Sequence, residues 1–291
     1  MERSSDYRLV AIDLDGTLLT DKKIVTDYNR EVLKELNERG IEIVIATGRR
    51  YYSAKLFAKR LGIPDITILA NNGTIVRNIR DDEVKVSNYI DEKDFYKLVE
   101  EGRRIDITPI THVNKYDFGY DMIGELDKMH AKYNNYIQKI EKRYRKVDDL
   151  LYVPEPNVLA AVFPGDKDFL RSFQHRIEDI SEGQYTMYLM DQLVGVSPIL
   201  EIIKSDCSKW HSVEDYAKLK GITPEEIICI GDDMNDLEMI ESCGLGIAMK
   251  NATPGIKERA DMITEHDNND SGVGYALKEI FSSESASSVD N

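Results

Sequence analysis

Five short apolar runs set the frame for this chain. They are Leu9–Ile12 and residues 41–46, 66–70, 227–230 and 245–249, with a weaker sixth at 262–264. The first four are rich in β-branched residues, with Asp13 following the first and Gly231 the fourth. Unbroken apolar stretches this short suit parallel strands covered by helices on both faces. Helical patterns lie between them. Residues 26–39 place Val32, Leu33 and Leu36 on one face, with Thr26 as N-cap and Gly40 as the stop. Residues 212–220 end at Gly221 in the same way, and Thr253-Pro254 reads as an N-cap followed by Pro at the first helical position. Strand–helix alternation at both ends of the chain predicts one doubly wound, Rossmann-like α/β domain with a parallel sheet.

The middle breaks that rhythm. Residues 84–198 hold helical patterns at 91–104, 124–146 and 166–180, separated by strand-like segments at 158–163 and 186–190. We read them as an α+β domain inserted into the first, which comprises 1–83 and 199–291. Residues 78–83 and 195–198 are the candidate hinges. The tail 282–291 is small and polar and is expected to lack structure. A chain of 291 residues accommodates two such domains.

Charge and cysteine content narrow the setting. The net charge is −15, and no Lys/Arg run forms a basic face, so nucleic acid is not an expected partner. No stretch of 18 apolar residues exists, and the N-terminus has no apolar segment of signal-peptide length. A membrane association is therefore not expected. The three cysteines, Cys207, Cys229 and Cys243, show no CxxC spacing and fit a reducing cytoplasm. The five histidines lack HExxH spacing, and no GxxxxGK loop is present.

Four clusters carry chemistry. Asp13-Leu14-Asp15-Gly16-Thr17 follows the first apolar run directly. Residues two apart on an extended chain point the same way, so both carboxylates are expected on one side, in the crevice beyond the strand ends. Such a pair calls for a cation between its members. A solvated Asx turn is the plainer alternative. An EF-hand loop fails, because Gly16 is misplaced and no terminal Glu follows at the required spacing. Gly231-Asp232-Asp233-Met234-Asn235-Asp236 crowds carboxylates after a second apolar run, where helix capping by Asp236 competes with cation binding. Thr47-Gly48-Arg49 makes a strand-to-helix turn suited to an anion, and Lys209 stands just before a helical pattern.

In this order, with the insert between the Thr turn and the Lys, these clusters resemble the haloacid dehalogenase-like hydrolase superfamily. The branch they resemble is the Cof type, with an α/β cap domain. Asn72-Gly73, Asn251-Ala252 and Ser271-Gly272-Val273 add to the likeness. The resemblance implies a Mg²⁺-dependent phosphatase acting on small phosphorylated metabolites such as sugar phosphates, with the insert selecting the substrate. Asp13 would be the nucleophile that forms an aspartyl-phosphate. Asp15 would protonate the leaving oxygen and then deprotonate the attacking water, which requires a raised pKa. Asp13, Asp232, Asp236 and the carbonyl of Asp15 would hold Mg²⁺. Thr47 and Lys209 would hold phosphoryl oxygens, with Asn235 as an aid, and Gly48, Arg49, Asn72 and Asn251 would complete the substrate-binding set. Trp210 and Asp233 stand where this branch often has Gly, which bears on substrate fit. A phosphomutase of the phosphomannomutase kind and a non-catalytic metabolite-binding regulator are the alternatives. The complete acid set argues against the latter. The expected assembly is a monomer or a small homo-oligomer.

Overall fold

The computed structural model describes residues 7–125, 143–190 and 198–287. It divides into two compact units, Met1–Ser87 with Ser208–Asn291, and Asn88–Cys207.

The first unit begins with β1 (Leu9–Ile12), β2 (Glu42–Ala46), β3 (Thr67–Ala70), β4 (Ile75–Asn78) and β5 (Val84–Ser87). Helix Asp27–Glu38 connects β1 to β2, with Val32, Leu33 and Leu36 buried and the Thr26 hydroxyl accepting from Asn29 N. Helix Tyr51–Ala58 connects β2 to β3.

The second unit contains helix Glu92–Arg103, then β6 (Ile110–Val113), β7 (Met122–Gly124), β8 (Tyr144–Lys146) and β9 (Val158–Pro164). Helix Lys167–Ile180, β10 (Tyr185–Met190) and β11 (Ile199–Lys204) follow. Its sheet runs β10-β11-β9-β6-β7-β8. Phe95, Leu98 and Val99 from one helix and Leu170, Phe173 and Ile177 from the other close over Ala161, Phe163, Leu200 and Ile202. This is an α+β unit with its own core. The pattern at 124–146 was expected to be one helix, but its ends lie in β7 and β8. Its interior, 126–142, lies outside the described residues, as do most of the candidate hinge at 195–198.

The chain then returns to the first unit through helix Lys209–Lys220, closed by a left-handed Gly221. β12 (Ile227–Gly231), β13 (Leu245–Ala248) and β14 (Met262–Ile263) complete the sheet, and helix Gly272–Ser287 ends it. That helix runs into the tail expected to be unstructured. The strand order is β14-β13-β12-β1-β2-β3-β4-β5. Strands β14 to β3 in that order are parallel, and β4 and β5 add an antiparallel edge. The chain leaves β1 toward β2 on one side and comes back to β12 on the other. β1 is thus the switch point where a crevice opens beyond the strand C-termini.

The candidate hinge at 78–83 is instead the turn of the β4–β5 hairpin. Asn78 N donates to Glu83 O at 3.1 Å and Asp82 N to Asn78 O at 3.0 Å. Asp82 is left-handed (φ 62°) and its carboxylate is gripped by Tyr51 and Lys55. The sequence concealed this hairpin because its edge strands mix charged and apolar residues rather than forming an apolar run.

Candidate active site

β1 is buried at every residue, and its ladder continues one step past Ile12, where Asp13 N donates to Ile230 O at 3.0 Å. This anchors Asp13 at the switch point with 5% of its surface exposed. The chain then turns rather than staying extended, with Leu18 N on Asp13 O and Leu19 N on Leu14 O. The alternation expected to gather Asp13 and Asp15 therefore stops, and their carboxylates take different partners. Gly16 makes the turn possible. Its φ is +81°, and a Cβ there would overlap the Asp232 carboxylate.

Lys209 is the first residue of its helix rather than a residue before it, with the Ser208 hydroxyl accepting from His211 N as N-cap. The neighbouring Trp210 is buried in the core among Leu9, Val44 and Leu69. That packing fixes the first turn of the helix and aims Lys209 at the strand ends. Lys209 Nζ, 1% exposed, donates to Asp13 Oδ1 at 2.8 Å and to Asp236 Oδ1 at 2.6 Å. Asp236 is fully buried, and its Oδ2 accepts from Asp232 N at 3.1 Å and Asp233 N at 3.2 Å. One oxygen of Asp236 thus serves the capping of the turn, while the other accepts from Lys209. Asp233 caps the same turn by accepting from Met234 N at 2.8 Å. Asp232 Oδ1 accepts from Thr17 Oγ1 at 3.1 Å, so Thr17 belongs to the constellation although no role had been assigned to it.

Asp13, Asp232 and Asp236 each present a carboxylate oxygen, all within 4.8 Å of one another. Three hard oxygen donors around one point suit a divalent cation such as Mg²⁺ or Ca²⁺. The electrostatics agree. Burial pushes the Asp13 carboxyl well up, and the charges of Asp236 and Asp232 add to this against the pull of Lys209. Burial, then the charge of Asp236, raises Asp232 to about 7. Burial tends to discharge Lys209, but Asp13 and Asp236 outweigh it and hold the ammonium above its ordinary range. One ammonium does not neutralise three carboxylates, and a divalent cation would supply the missing charge.

This predicts how the metal-free protein responds to pH. Asp232 ionises at about 3.8 in the unfolded chain and at about 7 when folded. Between those values the folded state binds more protons, so stability falls as pH rises. Thermal melts in excess chelator should show a falling Tm across that window, and a saturating divalent cation should flatten the slope. A Tm that rises across the window in chelator would contradict the cluster's electrostatics.

Asp15 sits outside the metal-type cluster. Arg49 holds its carboxylate through Nε on Oδ2 and through Nη2 on Oδ1 at 2.7 Å, and Lys23 Nζ donates to Oδ1 at 2.6 Å. Burial pushes this carboxyl up, but Arg49 and then Lys23 overcome it and leave Asp15 below the ordinary range. A raised value was expected. The sequence showed neither partnership, because Arg49 lies 34 residues away and Lys23 belongs to no motif. Arg49, expected on the phosphate, also stacks over Phe57 with its Cζ 4.9 Å from the ring centre.

The Thr47 hydroxyl accepts from Arg49 N at 3.1 Å and retains its own proton to donate. Asn72 Oδ1 accepts from Asn235 Nδ2 at 3.1 Å, and its amide lies against Gly48. Asn251 uses both ends of its amide on backbone. Its Nδ2 donates to Gly16 O at 2.7 Å and its Oδ1 accepts from Asn268 N at 3.1 Å. Asn251 therefore braces the Gly16 turn. Asn268, which the sequence did not mark, extends the brace by donating to Leu19 O at 2.9 Å. Among the described residues, no helix is long and apolar enough to cross a membrane.

Known proteins resemble this chain over most of its length. The YxeH protein of Bacillus subtilis (strain 168) is 32% identical over 279 residues, covering 94% of this chain and 98% of its own. The 5-amino-6-(5-phospho-D-ribitylamino)uracil phosphatase YwtE of the same organism is 29% identical over 305 residues, covering 96% and 100%. A solved haloacid dehalogenase-like hydrolase from Bacteroides thetaiotaomicron aligns with a TM-score of 0.81 at 28% identity, over 94% of this chain and all of that one. The sequence profile of the haloacid dehalogenase-like hydrolases matches residues 10–277, which takes in the insert as well as the strands on either side of it. The chain belongs to that family.

Proposed function

We propose that this chain is a Mg²⁺-dependent phosphatase that hydrolyses small phosphorylated metabolites through an aspartyl-phosphate on Asp13. The observation that carries this reading is the buried Asp13 carboxylate, which shares Lys209 with Asp236 in a cluster whose three carboxylates suit a further cation. A relative named for a phosphoribitylaminouracil phosphatase supports a small phosphomonoester as substrate.

The residues divide the work as follows. Asp13, Asp232 and Asp236 would hold Mg²⁺, with the Asp15 carbonyl as a fourth proposed ligand. When bound, Mg²⁺ neutralises charge on the phosphoryl oxygens. An Asp13 oxygen attacks phosphorus, the bond from phosphorus to the leaving oxygen breaks, and that oxygen takes a proton from Asp15. Water then attacks the aspartyl-phosphate, giving its proton to Asp15 and returning Asp13 as a carboxylate with release of phosphate. Lys209 and the Thr47 hydroxyl hold phosphoryl oxygens, and the Thr47–Arg49 turn receives the anion. With Arg49 and Lys23 in place, Asp15 is set as the base of the second step. Its acid role requires that these cations loosen their hold. The inserted unit is assigned the choice of substrate, and the cytoplasm is the proposed compartment.

The test is a panel of phosphorylated metabolites offered to the purified protein with and without Mg²⁺. Release of inorganic phosphate in step with the dephosphorylated product, only with Mg²⁺, is the expected result. Conversion to an isomeric phosphate would identify a mutase, and absence of turnover across the panel would defeat the reading.

A further inference from the structure

The turn after β3 has a costly backbone. Asn71, Asn72 and Gly73 are left-handed in succession, with φ of 49°, 53° and 94°. Asn tolerates that region better than most side chains, yet two such residues before a Gly persist only where the surroundings hold them. Here they are held from two sides. Asn71 N donates to Arg49 O at 2.9 Å and Asn72 N to Thr47 O at 3.0 Å. On the other side the Ser212 hydroxyl donates to Gly73 O, and the missing Cβ of Gly73 leaves room for the Ser208 carbonyl. The turn is thus fastened both to the Thr47–Arg49 turn and to the helix start that carries Lys209.

The Asn72 side chain adds a third attachment. It is 2% exposed, its Oδ1 accepts from Asn235 Nδ2 at 3.1 Å, and an added Cβ on Gly48 would stand 3.1 Å from that Oδ1 and 3.4 Å from Nδ2. Its amide therefore lies between Gly48 and Asn235, the residue before Asp236. We propose that Asn72 is a positioning residue: its amide fixes Asn235, and with it the Asp236 loop, in register with the Thr47 and Lys209 elements. It works through Asn235 rather than by touching substrate. This inference rests on the phosphatase reading above.

The test is a double-mutant cycle. Asn72→Gly removes the amide without a backbone penalty, since Gly takes the left-handed conformation freely, whereas Ala would confound the two. Asn72→Gly should melt near the wild type and lose about tenfold both in kcat and in affinity for inorganic phosphate, the scale of one lost hydrogen bond. Asn235→Ala should lose at least as much. Because Asn72 is assigned its effect through the bond to Asn235, Asn72→Gly should cost much less in the Asn235→Ala background than it does alone. Losses that multiply, or an unchanged kcat in Asn72→Gly, would overturn the proposal. The same cycle read on the affinity for inorganic phosphate with Mg²⁺, by calorimetry, separates this idea from the last. A wild type that binds phosphate but hydrolyses nothing defeats the phosphatase reading while the cycle still decides the role of Asn72. A wild type that neither binds nor hydrolyses overturns both.

Discussion

Asp13→Asn should abolish phosphate release while leaving the fold intact. The amide keeps the shape of the carboxylate and an oxygen that accepts from Lys209, and Lys209 keeps its second partner, Asp236. What disappears is the nucleophile, because a neutral amide oxygen does not form the acyl-phosphate. Losses for a removed nucleophile are at least about 10⁴-fold in kcat. Stability should move the other way. The folded state disfavours the charged Asp13 carboxylate by burial and by its two acidic neighbours, so the neutral amide relieves repulsion. In chelator the variant should melt at or above the wild-type temperature near neutral pH. Residual phosphate release of about one part in a hundred from a clean preparation would remove Asp13 from the nucleophile role.

Much of this site was legible in the sequence, for a physical reason. Asp13, Asp232 and Thr47 each follow an apolar run, and a buried parallel strand delivers the residue at its C-terminal end to the same crevice as its neighbours. The residues that were placed least well owe their positions to side chains meeting across loops. Asp15 is the clearest case. Its alternation with Asp13 pointed to a shared cation, but the chain turns at Leu14, and Arg49 and Lys23 take the carboxylate. No local pattern announces a contact over 34 residues. Asn251 carried a motif-like dipeptide, yet its amide is committed to backbone on both sides. Trp210 looked like a departure near the site and is a core residue that steadies Lys209. The β4–β5 hairpin escaped because edge strands need no apolar run.

Withholding a divalent cation should also remove most of the turnover. Without a cation the attacking carboxylate faces a phosphate dianion across an acidic cluster that Lys209 only partly offsets. Chelation should therefore reduce turnover by at least about a hundredfold, an order set by electrostatic stabilisation at developing charge. Mg²⁺ should restore it. Ca²⁺ should restore it poorly, since its larger and looser coordination shell does not hold the near-octahedral arrangement a phosphoryl group needs. Binding has a readout of its own. A cation that favours the folded state raises Tm with concentration, by about 2.7 kcal/mol of stability at a hundred times its Kd. Asp232→Asn should shift that curve to higher Mg²⁺ concentration. It keeps a carbonyl oxygen for Thr17 but removes one charge from the donor set. If turnover and Tm were both indifferent to chelator and to Mg²⁺, the three carboxylates would be a self-contained network with Lys209, and their crowding would need a proton rather than a metal to explain it.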